Sequence, residues 1–199
     1  MIRRRLAPLA IATAVSASFL GAAPASAAPA PSVQTVTCGA QTVTLDGVGT
    51  SYRLRGACGK VVVDGAGISV SMTSAKRLVV KGSNVTVKVA RNAKSVSLSG
   101  TGATVRVGGS VTGLSTKASR SKVVVKKKLG TARIAGSGVK LRAGATKTVT
   151  IKGSANDVRV TKLRKLTVVG ASNYVKVSKG TTKAKVRGAG NTVKIRRAR

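Results

Sequence analysis

The sequence has no histidine, no glutamate and no tryptophan, and its acidic side chains number three, Asp46, Asp64 and Asp157. These absences remove most of the usual machinery of catalysis. General acid–base chemistry would fall to Lys, Tyr or Asp. A nucleophilic thiol would have no imidazole to activate it. Carboxylate-pair sugar cleavage is poorly served, because Asp157 is remote from the other two acids. Calcium takes six or more oxygen ligands, more than three carboxylate side chains are suited to supply. No enzyme activity, metal or cofactor is therefore expected.

Aromatic residues are as scarce, with only Phe19, Tyr52 and Tyr174. Stacking platforms for unpaired bases are excluded, as are the aromatic girdles of a membrane β-barrel. Long apolar runs are missing too. The longest stretch, residues 6–20, is interrupted by Pro8, Thr13, Ser16 and Ser18. It falls short of the roughly 20 apolar residues that a membrane span needs. With Arg3, Arg4 and Arg5 before it and Ala25-Ser26-Ala27 after it, it reads as an export signal over residues 1–27. A general secretory signal fits better than a twin-arginine one. No cysteine follows the cleavage site, so a lipoprotein anchor is not expected. Residues 28–35 read as a disordered, Ala/Pro-rich lead-in. The expected location is extracellular or cell-wall associated.

Positive charge is abundant. The chain of 199 residues carries 37 Lys or Arg and a net charge of +34. Removal of the three signal arginines would leave 34 − 3 = +31. So one-sided a charge works against the compact state and points to an anionic partner.

Regular spacing is abundant as well. Glycine anchors recur at Gly47, Gly65, Gly82, Gly100, Gly136, Gly153, Gly170 and Gly188, with Ala118 filling the one break in the series. Neighbouring anchors are 17 or 18 residues apart. Four slots relative to the anchor, −4, −2, +5 and +7, are apolar in every repeat, with Thr116 the single exception among 36 positions. Residues between the paired slots are mostly polar or basic, as alternation demands when one strand face is buried. A looser inward slot lies at −7, through Cys58, Ala75, Ala93, Val111, Leu129, Thr146, Leu163 and Thr181. One repeat is too short for a propeller blade and lacks the period of a helix. The prediction is an all-β parallel solenoid over residues 36–195, of about nine coils with two or three short sides each. Residues 196–199 form a basic tail. The crossover rule favours a right-handed coil.

Residues 153–160, Gly-Ser-Ala-Asn-Asp-Val-Arg-Val, and residues 170–173, Gly-Ala-Ser-Asn, resemble the Gly-Ser-x-Asn-x-Val-x-Val repeats of a secreted actinobacterial family. That family is a "domain of unknown function" family, numbered 3060. Cys38-Gly39 and Cys58 resemble its early cysteine pair. The resemblance spans residues 36–195 and brings no established activity.

Several residues invite a role. Cys38 and Cys58 are placed to lie on adjacent coils, where export makes a disulfide the expected state. Asp46 and Asp64 share the −1 slot and are expected to pair with Arg53 and Lys81. Asn156, Asn173 and Asn191 share the +3 slot and are expected to form a hydrogen-bonded ladder. The anchor glycine reads as a tight corner that needs positive φ or no Cβ. The +6 slot is basic in seven of nine repeats, through Arg53, Lys88, Arg106, Arg142, Arg159, Lys176 and Lys194. Stacked coils would turn these into a charged row. Such a row suits an anionic envelope partner, whether teichoic acid, acidic glycan or anionic lipid headgroups, with release of counterions on binding. Sequence-independent nucleic-acid binding through phosphates is the alternative. A structural or adhesive rod, with charges that only block edge-to-edge pairing, is the other.

Overall fold

The computed structural model describes residues 33–196. The expected export signal, the first part of the lead-in and the last three tail residues lie outside them. The described residues hold 17 strands and no helix. Each strand pairs in parallel with its equivalent 17 or 18 residues along the chain. This is the predicted solenoid, and Val and Thr suit it because branched side chains pack well on a pleated, half-buried surface.

Each coil has three sides. On the second side the −4 slots stack in register, Val43 on Val61, Leu78, Val96, Leu114, Ala132, Val149, Leu166 and Ala184. The first side stacks residues 51–53 on 69–71 and their successors. The third side stacks Cys58 on Ala75, Ala93, Val111, Leu129, Thr146 and Leu163. Inward side chains meet in one core, and most, from Leu45 to Val177, are almost wholly buried. Each Val or Leu so buried contributes roughly 1.5–3 kcal/mol. The last coil lacks a neighbour beyond it among the described residues. Its Ala184 and Val186 are therefore exposed, although their slots are inward ones.

The first coil begins earlier than the lead-in reading allowed. Val33–Thr37 is already a strand, paired with Ser51–Arg55. Its Val and Thr residues follow the Ala/Pro stretch and have an adjacent strand edge to pair with.

The corner between the second and first sides adds a second special position to the anchor reading. A uniform left-handed residue sits two positions after each anchor. It is Gly49, Gly67, Gly102, Gly138 and Gly190 in five coils, and Asn84, Arg120, Ala155 and Ser172 in four, with φ from 49° to 70°. The anchors themselves meet both parts of the reading: Gly47, Gly65, Gly170 and Gly188 have φ of 112°, 157°, 149° and 103°, and at others the coils approach closely. A Cβ at Gly82, Gly100, Gly136 or Gly153 would collide with the carbonyl oxygen of the anchor one coil earlier. The coil that carries Ala118 also carries Thr116, and the two exceptions are bonded. The Ala118 N–H donates to the buried Thr116 hydroxyl at 3.1 Å.

The next residue, at +3, points inward. It is apolar at Ile68, Val85, Ala103 and Val139 and polar at Ser121, Asn156 and Asn173, all buried. Here the asparagine ladder exists. Asn156 Nδ2 donates to Asn173 Oδ1, and Asn173 Nδ2 to Asn191 Oδ1, each at 3.0 Å. Each Oδ1 also accepts a backbone N–H from the preceding coil, and each Nδ2 donates to the preceding anchor carbonyl. Ser121 does part of the same work, accepting the Ala103 N–H.

Cys38 and Cys58 form a disulfide with a Cα–Cα distance of 4.8 Å, joining the first two coils. The bridge closes a loop of 20 residues. On the chain-entropy relation, the double variant Cys38→Ser, Cys58→Ser should lose about 3 kcal/mol. Urea unfolding of oxidised protein and variant measures this. A difference below about 0.5 kcal/mol would mean the bridge does not constrain the unfolded chain.

Candidate anion-binding surface

The +6 slot lies midway along the first side, between two inward residues that fix its direction. In Arg106, for example, the flanking Val105 and Val107 are buried and the guanidinium side chain is exposed. Parallel register then places the whole series in one line. Thr35 is followed by Arg53, Ser71, Lys88, Arg106, Val124, Arg142, Arg159, Lys176 and Lys194. All seven residues predicted for the row are therefore brought together on one face.

The row is uneven. Ser71 and Val124 divide it into one, two and four cations. Successive members of a run are separated by one strand spacing, about 4.8 Å. Each adjacent pair repels by roughly 0.9 kcal/mol at the dielectric of water, less in salt. Two cations that the column count did not include lie beside the Val124 gap. Lys122 and Lys140 occupy the neighbouring outward slot, in register with each other and with Thr104. Their slot is Ser or Thr in the first four coils, so it carries no repeated signal.

One member of the row is held. The Arg159 Nε donates to the Asp157 carboxylate at 3.0 Å, and the guanidinium lies 5.6 Å from the Tyr174 ring centroid. The hydrogen bond to Asp157, then its charge, raises the Arg159 pKa, so this group stays cationic at any physiological pH. About half of the side chain remains exposed. The expected pairing of Asp46 and Asp64 with Arg53 and Lys81 is only partly realised. Asp64 pairs with Lys81 at 4.0 Å, and Asp46 stacks on Asp64. Arg53 joins neither, because it sits on the first side while both acids are outward on the second. Among the described residues, the ion pairs are these two, so nearly all the positive charge is unpaired.

Cations also project from the other two sides. The second side carries Lys60, Arg77 and Arg133 among others. The third carries a cluster of its own in the later coils, which sequence counting passed over because its residues alternate between two slots.

A family model described as "Protein of unknown function (DUF3060)" matches residues 45–102 and 134–190, more than half of the chain. The chain belongs to the DUF3060 family. No curated protein and no solved structure matches it. The two DUF3060 segments leave out residues 103–133, the stretch that holds Thr116, Ala118 and Val124. The strand ladder nevertheless crosses that stretch without a break. Five row residues fall inside the DUF3060 segments, namely Arg53, Lys88, Arg142, Arg159 and Lys176.

Proposed function

We propose that this DUF3060 protein is an exported, non-catalytic solenoid whose cationic first side holds an anionic polymer of the cell envelope. One observation carries the reading. Parallel stacking turns seven cations scattered over about 140 residues of sequence into a single exposed line with few acids beside it. A linear polyanion laid along that line relieves repulsion between neighbours and releases its own counterions. The export signal makes wall polymer, acidic glycan or lipid headgroups the nearest such partners.

The test is retention on teichoic-acid-type wall polymer, duplex DNA and a neutral glycan across a salt series. Steep salt-dependent binding to wall polymer, and none to neutral glycan, is the expected result. Tighter binding to DNA would favour a phosphate-directed nucleic-acid role. No retention on either polyanion at about 0.1 M salt would leave a structural rod. The triple variant Arg106→Gln, Arg142→Gln, Arg159→Gln should lower the slope of log affinity against log salt by about two. A control triple on the third side, Lys76→Gln, Arg91→Gln, Lys94→Gln, should change it much less. Equal losses would remove the row from the explanation. Because no side chain here has an ordinary pKa between 5 and 8, binding should be flat over that pH range.

A further inference from the structure

On the third side, in the later coils, lies a hollow of about 580 Å³. Its floor is the outer, backbone face of the strands that carry the −7 column. Elsewhere that column is filled by Cys58, Ala75, Ala93 and Val111, but here it alternates Leu129, Thr146, Leu163 and Thr181. Both threonines of the column line this hollow. Thr146 is buried, and its hydroxyl donates to the Gly144 carbonyl at 3.3 Å. The outward slots of the floor carry Gly130, Ala145 and Gly180, which leave the space unfilled.

The rim is cationic. Lys128, Lys147, Lys162, Arg164 and Lys179 all line the opening. None of the three acids is near it in the fold. Asp46 and Asp64 stand on the second side in the first two coils, and Asp157 on the first side is paired with Arg159. Five unpaired cations around a floor of Gly130, Ala145 and Gly180 make a different kind of place from the flat row. A row suits a polymer; a bounded hollow of this size suits a small molecule. The aliphatic stems of the lysines supply an apolar wall and keep the ammonium groups at the mouth. The Arg164 fork matches a phosphate or similar oxyanion.

We propose that this hollow is a binding site for a phosphate-headed amphiphile, with the hydrocarbon portion against Ala145 and the lysine stems and the head among Lys147, Lys162 and Arg164. This site is separate from the cationic row and does not depend on it.

Calorimetric titration of the purified protein with octyl phosphate below its micelle-forming concentration tests the proposal. Inorganic phosphate and octyl glucoside serve as the head-only and tail-only probes. The expected result is one octyl phosphate per chain, bound at least tenfold tighter than either control. Ala145→Leu, at an exposed strand position, fills the hollow without changing charge and should weaken octyl phosphate at least tenfold. Lys147→Gln with Arg164→Gln should do the same while leaving the hollow open. Neither change should alter retention on wall polymer by more than twofold. Equal affinity for octyl phosphate and inorganic phosphate would overturn the proposal, as would octyl phosphate binding that survives both variants.

Discussion

Asn173→Ala is expected to lower the unfolding free energy by about 3–5 kcal/mol, far more than a surface substitution of the same size. Asn173 is buried in the corner of its coil. Its Oδ1 accepts the backbone N–H of Asn156 at 3.1 Å and the Asn156 side-chain amide at 3.0 Å. Its Nδ2 donates to the Gly153 carbonyl at 2.9 Å and to Asn191 Oδ1 at 3.0 Å. Alanine removes all four bonds and leaves the Asn156 backbone N–H and the Gly153 carbonyl inside without partners. Each such orphan costs about 1–3 kcal/mol. For a domain of this length each kcal/mol lowers the melting temperature by about 2–4 °C, so a fall of roughly 10 °C is the readable effect. A loss below 1 kcal/mol would show that the ladder is ornamental to stability.

Gly136→Ala and Gly113→Ala should move stability in opposite directions. At Gly136 an added methyl meets the carbonyl oxygen of Ala118, an atom of the backbone with no flexible end to swing aside. Parallel ladders on both sides of the corner hold the two coils at strand spacing, so relief requires parting them. Overpacking of this kind costs about 3 kcal/mol or more. At Gly113 nothing lies within 4 Å of the added methyl. That residue is within the strand Val111–Thr116, whose conformation alanine adopts without strain. The gain there is about 0.4–1 kcal/mol, through the unfolded chain. Urea midpoints of the two variants against the parent decide the matter, and a shift of the same sign in both would discard the close-approach account of the anchors.

The register of the coils was legible in the sequence because it is written in hydropathy. Slots such as that of Val61, Leu78 and Val96 face the core in every coil, so burial selects the same class of residue each time. The disulfide and the line of row cations followed from that register by simple arithmetic. The left-handed corner was hidden for a physical reason. Its backbone needs a conformation, not a polarity, and Asn84, Arg120, Ala155 and Ser172 tolerate it alongside glycine. The +3 corner slot was legible only where asparagine recurs, at Asn156, Asn173 and Asn191; in earlier coils residues such as Val139 fill it by packing, and no hydropathy scale groups the two. The hollow of the third side left no periodic trace because Gly130, Ala145 and Gly180 stand at outward slots, where burial selects nothing.

The exposed Ala184 and Val186 show that the last coil presents to its free side much the same stacking surface that the coil beneath presents to it. Nothing in the geometry of the described residues sets a final storey. A duplicated repeat inserted there would dock on the floor below, add one more cation to the exposed line and leave the disulfide-bonded foundation untouched. Height in this molecule is thus a quantity that gene duplication can adjust one storey at a time, and reach along a polymer grows with it.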